Sequence, residues 1–168
     1  MKTGIETERK YVILKPDINV LATFPDFTES YITQTYLSSE AEVTRRVRRR
    51  VSAGKMVYTE TVKRRISPSS ALESEREIGE SEYFELTKKI KGGTVPIEKI
   101  RYTFSYSGKL FEVDFYPEWI KSCIMEIELK SEDEEIGIPT FIKIIREVTG
   151  RREYSNASMS HIFPTELV

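Results

Sequence analysis

Residues 43–65 read VTRRVRRRVSAGKMVYTETVKRR, and their period-2 pattern decides the fold class. In an extended chain Val43, Val47 and Val51 share one face with Arg45 and Arg49, while Arg46, Arg48 and Arg50 take the other. Ser52-Ala53-Gly54-Lys55 supplies a turn, and Met56 to Arg65 returns as the partner, with Thr59, Thr61, Lys63 and Arg65 alternating. The stretch is therefore a hairpin with one almost wholly polar, cationic face. It holds nine Lys/Arg and one acid, Glu60; residues 66–85 reverse the sign, with six Glu and one base, Arg76.

The same alternation recurs on both sides of this hairpin. Ile5 to Ile13 places Glu6, Glu8, Lys10 and Val12 on one face, and Ser30 to Leu37 is a β-branched and aromatic strand. After the loop Ser67-Pro68-Ser69-Ser70, Leu72 to Ile78 carries Glu73, Glu75 and Glu77 together. Ile97 to Tyr106 alternates Lys99, Arg101 and Thr103; Leu110 to Tyr116 alternates Glu112 and Asp114; Ser122 to Lys130 alternates Glu126 and Glu128. Helical spacing predicts helices over Glu80 to Lys91 and from Pro139 to about Val148, the second on Phe141, Ile144, Ile145 and Val148 with Gly150 as its stop. Asn156 is read as the cap of a short last helix. Eight strands in a meander with few helices predict a mainly β (α+β) fold, an antiparallel barrel or sandwich.

Composition narrows the function. The 168 residues suit one domain spanning 1–168, since a domain takes roughly 100–200 residues, and 39% hydrophobic content supports a sizeable core. No apolar run reaches bilayer length and no secretory leader is visible, so neither a membrane nor a secreted setting is expected. The net charge of −1 argues against generic nucleic-acid binding. Cys123 is the lone cysteine and His161 the lone histidine, which excludes an intrachain disulfide and cysteine-cluster or multi-histidine metal sites. A cytoplasmic location follows, and any metal must be a hard cation held by carboxylates.

Two readings of the charged strand faces stand side by side. One is a solvated sheet face on which neighbouring Lys and Glu pair weakly. The other closes the sheet with those faces inward, where a polyanion bridged to divalent cations would satisfy both signs: arginines and lysines on phosphate oxygens, carboxylates on Mg2+ or Mn2+.

In order along the chain, these residues resemble the CYTH, or triphosphate tunnel metalloenzyme, family. Glu6-Thr7-Glu8-Arg9-Lys10 fits its ExExK signature, Gln34-Thr35-Tyr36-Leu37 its Q-x-Y-L strand, Arg46-Val47-Arg48 its R-x-R and Thr61-Val62-Lys63 its T-[IV]-K. Glu75-Arg76-Glu77, Lys99-Ile100-Arg101-Tyr102, Glu112-Val113-Asp114, Glu126-Ile127-Glu128 and Glu147-Val148-Thr149 with Tyr154 and Asn156 continue the series. The resemblance implies an eight-stranded antiparallel closed β-barrel forming a charged tunnel with a few outer helices. It implies a divalent-metal-dependent triphosphatase acting on a small-molecule triphosphate, with inorganic tripolyphosphate favoured by the Glu-Arg-Lys form of the first motif. Carried over, Glu6, Glu8, Glu126 and Glu128 hold Mg2+ or Mn2+, supported by Asp114. Lys10, Arg46, Arg48, Lys63, Lys99 and Arg101 contact phosphates, and Glu75 and Glu77, with Lys10, act at the reacting centre. The acidic strand allows two registers, Glu73/Glu75 or Glu75/Glu77. Ser69, Ser70 and Ala71 stand where the family often has an arginine. The resemblance also admits a class IV adenylyl cyclase, and a non-catalytic polyphosphate- or nucleotide-binding module stands outside the enzyme classes altogether. A homodimer is left open.

Overall fold

The computed structural model describes residues 1–168. Nine strands form: β1 (Lys2–Leu14), β2 (Thr28–Leu37), β3 (Val43–Ser52), β4 (Lys55–Arg65), β5 (Ser70–Ile78), β6 (Ile97–Tyr106), β7 (Lys109–Phe115), β8 (Ser122–Leu129) and β9 (Ile144–Glu147). The helices α1 (Ile18–Leu21), α2 (Glu80–Thr87) and α3 (Asn156–Met159) are short. None is long and apolar enough to cross a membrane.

Around the sheet the order is β1-β5-β4-β3-β2-β6-β7-β8, and β8 pairs back onto β1, so eight antiparallel strands close a barrel. Closure depends on the 13 residues of β1. Its Lys2–Thr7 stretch pairs with β5, and its Thr7–Leu14 stretch pairs with β8 on the other edge. The opening hairpin turns through Ala53 and Gly54, at φ of 48° and 74°, the two-residue geometry whose twist matches the flanking strands.

Barrel parity inverts the usual arrangement of core and surface. Apolar side chains face out and are covered there. Tyr11, Ile13, Phe104, Phe111, Met125 and Ile127 pack beneath the segment that includes Leu21 and beneath Ile142, and the thiol of Cys123 is fully buried among them. Leu37, Val47, Tyr58 and Ile78 pack beneath Tyr83 and Leu86 of α2. A third cluster joins lumen-parity Val12, Tyr36, Ile97 and Ile124 to Tyr116, Trp119, Tyr154 and Met159, so the C-terminal segment packs onto part of the inward face.

Three local expectations change. The helix expected over Pro139 to Val148 is absent; Ile144–Glu147 is instead β9, paired with Tyr11–Ile13 of β1. Where β5 leaves β1, the edge of β1 is unpaired, and satisfying those backbone groups outweighs a helical apolar pattern of ten residues. Helix α2 ends at Thr87 because Ile90 bridges to Leu37. The cap of α3 is Ser155, whose hydroxyl accepts from the Ser158 N–H, which leaves the Asn156 side chain to turn inward.

Candidate active site in the barrel lumen

Register places the charges. Across the lumen face Lys10 lies opposite Glu126, Glu8 opposite Glu128, and Glu112 opposite Glu126, so β1, β8 and β7 form an acidic arc. Arg46 lies opposite Thr61 and Tyr36, Arg48 opposite Gln34, and Lys99 beside Ile32, so β3, β2 and β6 form a basic arc, extended by Lys63 on β4. The basic block of sequence thus supplies much of one wall, whereas the acidic wall is assembled from β1, β7 and β8, outside the acidic block of 66–85. Between the two walls is a cavity of about 340 Å3 lined by Glu6, Glu8, Lys10, Arg46, Arg48 and Lys63, with Lys99, Arg101, Glu112 and Glu126. Arg45 and Arg49 face outward, Arg45 pairing with Glu60 at 2.7 Å.

Each basic group is held differently. The Arg101 guanidinium forks onto Asp114 (Nε to Oδ1 2.7 Å, Nη2 to Oδ2 2.8 Å) and also donates to Glu112. Lys99, 4% exposed, donates to Asp114 Oδ2 at 2.7 Å, and burial, opposed by Asp114, pulls its ammonium down to about 7. Arg48 donates twice to Gln34 Oε1, at 3.3 and 3.0 Å; burial and the neighbouring Arg46 and Arg101 lower it to about 9. Arg46 keeps a buried Nε with no partner. Burial depresses its pKa, but Tyr36, Glu73 and Glu6 together outweigh that and leave it raised. Lys63 pairs with Glu6 and lies 3.5 Å from Glu73. Arg46 and Arg48 are thus desolvated cations with no carboxylate ion pair of their own, whereas Lys63, Lys99 and Arg101 are already paired.

The acidic wall is strained in the opposite sense. Glu8 and Glu126 lie diagonally across the β1–β8 ladder, on either side of Lys10. Burial and then Glu126 push Glu8 well up, whereas Lys10 and then Arg101 overcome burial and hold Glu126 well down. Lys10 Nζ sits 4.0 Å from Glu8 and 3.9 Å from Glu126. At the exposed end of β8, burial, Glu112 and Glu6 raise Glu128 to about 7. No three acidic side chains form a ready cation cage. A buried Glu8 Oε2 with no partner, next to Glu126, still suits a Mg2+-like ion, which uses one or two carboxylates and fills its remaining positions with water and phosphate oxygens.

The remaining expected residues lie apart from this cavity. Both oxygens of Asp114, 1% exposed, are taken by Lys99 and Arg101, so it backs the basic wall instead of facing a cation. Glu75 accepts from Thr61 Oγ1 at 2.8 Å, and Glu77 is exposed opposite Thr59; neither lines the cavity. Glu73 is not in the cavity lining either, but it is the acidic-strand member drawn to Lys63 and Arg46. Sequence reading passed over Gln34 and Glu112 as site residues. The first is fully buried and has all its polar atoms occupied, and the second was visible as the lumen-parity partner of Asp114.

No family model matches the chain. A protein of Acetivibrio thermocellus named inorganic triphosphatase is 33% identical over 157 residues, covering 93% of each chain. This chain belongs to the triphosphate tunnel (CYTH) family. The crystal structure of the inorganic triphosphatase NE1496 shares the tunnel fold, with a TM-score of 0.59 at 24% identity over 95% of this chain and 97% of that one. The PH1819 protein of Pyrococcus horikoshii has a TM-score of 0.60 at 20% identity, over 76% and 80% of the two chains. HpAC1 of Hippeastrum, whose structure is described as revealing a dominant triphosphatase activity, has a TM-score of 0.50 at 16% identity over 75% and 80%. Among tunnel proteins so related, the facing acidic and basic arcs are the feature with chemical content.

Proposed function

We propose that this chain hydrolyses a linear inorganic triphosphate, tripolyphosphate foremost, with Mg2+ or Mn2+ as its cation. One observation carries the reading: six cations from four strands (Lys10, Arg46, Arg48, Lys63, Lys99 and Arg101) converge with a buried carboxylate pair on one cavity. Arg46 Nε on one wall and Glu8 Oε2 on the other are buried without partners, and a triphosphate with a divalent cation would supply one to each.

When bound, the cation would be held by Glu8 and Glu126, with Glu6 and Glu128 at its margin, and would neutralise charge on phosphate oxygens. The chain's own groups do the positioning. Arg46 turns its free Nε, and Arg48, Lys63 and Lys10 their charge, toward the phosphoryl groups, where fixed donors are worth more than in water. Asp114 orients Lys99 and Arg101. Glu73, which lies beside Lys63 on the basic wall, would share the water-positioning role expected of Glu75 and Glu77. A cytoplasmic setting fits the buried, unreactive thiol of Cys123, whose burial raises its pKa.

Tripolyphosphate is preferred over ATP because Tyr36 is the one aromatic ring in the cavity wall, and its hydroxyl accepts from Gln34 at 3.0 Å. A cyclase would need a stacking and hydrogen-bonding surface for adenine. Incubation with tripolyphosphate, ATP and thiamine triphosphate, each with Mg2+, Mn2+ or EDTA, tests the proposal. Cation-dependent phosphate release, fastest from tripolyphosphate, is expected. Cyclic AMP from ATP would replace the proposal with the cyclase reading, and binding without turnover would replace it with a binding module.

A further inference from the structure

We propose that Asn156 is a substrate-binding and positioning residue, its Oδ1 joining the two halves of the basic wall while its amide NH2 donates to a phosphate oxygen. The geometry is specific. Asn156 Oδ1 accepts from Gln34 Nε2 at 3.1 Å, Lys99 Nζ at 3.2 Å and the Tyr116 hydroxyl at 3.1 Å. Lys99 in its ammonium form has only donors to offer, so the amide cannot be flipped. The same logic fixes Gln34: its Oε1 must accept from Arg48, so its Nε2 must donate toward Asn156 and Tyr36. One carbonyl oxygen therefore links Arg48, through Gln34, to Lys99, and Lys99 in turn to Asp114 and Arg101.

With Oδ1 committed to the wall, Nδ2 must point elsewhere. Asn156 is 9% exposed and lines the cavity. Its Nδ2 has no partner within the protein and is not fully enclosed, and since the residue lines the cavity, it opens there. A neutral amide donor held by three hydrogen bonds, beside Lys99 and Arg48, is preorganised for an anionic oxygen. Its anchor also matters: Asn156 begins α3, so the inward fold of the C-terminal segment is what completes the phosphate site.

The proposal rests on the triphosphate reading, and the test separates the two. Tripolyphosphate binding to the full chain is measured by calorimetry in EDTA and again with Mg2+, for the wild type and Asn156→Asp. The aspartate keeps an oxygen for the three donors but turns an acceptor toward the polyanion. Dissociation constants are expected to rise ~10- to 100-fold, the range of one hydrogen bond to a charged group, with thermal stability near wild type. Turnover is expected to show the loss chiefly in KM. Equal affinity in the folded variant overturns the role of Asn156 alone, and a wild type that binds under neither condition overturns the triphosphate reading and this one with it. Should the aspartate variant misfold, the side-chain amide 15N resonance of wild-type Asn156 decides: a shift on adding tripolyphosphate is expected, and none while the Arg46 and Arg48 signals move would refute the contact.

Discussion

Replacing Asp114 by Asn asks whether the basic wall depends on an internal counter-ion. Asp114 is 1% exposed and takes one hydrogen bond from Lys99 and two from Arg101, all between 2.7 and 2.8 Å. Burial raises its pKa, but Arg101 and then Lys99 reverse this and bring it down to about 2. Removing one partner from a buried ion pair generally costs about 3–5 kcal/mol. Here the lower end applies, because Arg101 keeps Glu112 while Lys99 is left with only Asn156 Oδ1. At about 2–4 °C per kcal/mol for a chain of this size, the midpoint should fall by roughly 6–12 °C. The loss should depend on pH in a stated direction. Lys99 titrates near 7 in the folded chain, far below its ordinary value of 10.5. Below pH 7 it carries its charge and needs Asp114; above, it is neutral and the variant is spared that share. Urea unfolding at pH 6 and pH 9, for wild type and Asp114→Asn, reads both quantities. A deficit under about 1 kcal/mol at pH 6, or one that grows toward pH 9, would refute the counter-ion argument.

Glu8→Gln should leave stability unchanged or slightly raised, because it ends the repulsion between two buried carboxylates, while hydrolysis of tripolyphosphate falls about 10²–10³-fold; wild-type turnover would sink the assignment of Glu8 to the cation. Gly150→Ala should destabilise by about 1–2 kcal/mol, since φ is 73° and a Cβ would meet Pro68 Cβ at 2.7 Å. A thermal midpoint equal to wild type would show that the two loops at the cavity mouth do not touch in solution. Glu166 accepts from the N–H groups of Ile120, Lys121 and Ser122, and these hold it, against the opposing effect of desolvation, at about 2. Its folded pKa is depressed, so its contribution is full above the unfolded value of 4.5 and disappears as pH falls toward about 2. The midpoint gap between wild type and Glu166→Gln should close over that window, and a gap independent of pH would count against these three hydrogen bonds.

Strand alternation made most of the barrel legible before any coordinates, because a period of two is local to each strand and survives whatever the strand packs against. The members of each wall could be named the same way: Arg46 with Arg48, Lys99 with Arg101, Glu126 with Glu128 share a face by backbone geometry alone. The apolar spacing of Ile144–Glu147 suits either helix or strand, and the sequence pattern alone favours helix. What decides it is the open edge of β1, which lies about 130 residues away in the chain.

The sequence by itself determined the sign and parity of the charged residues, and so the chemistry on offer: cations and carboxylates on common faces, with no cysteine-cluster or multi-histidine alternative. Tertiary structure decided which of those charges meet. Closure of β8 onto β1 makes Glu8 and Glu126 neighbours, encloses Asp114 behind Lys99 and Arg101, and leaves Glu77 at the exposed rim. It also brings Asn156, from the far end of the chain, under Lys99. Parity is a property of adjacent residues, whereas the pairing of walls follows from barrel closure and register, which are set by contacts between strands distant in sequence.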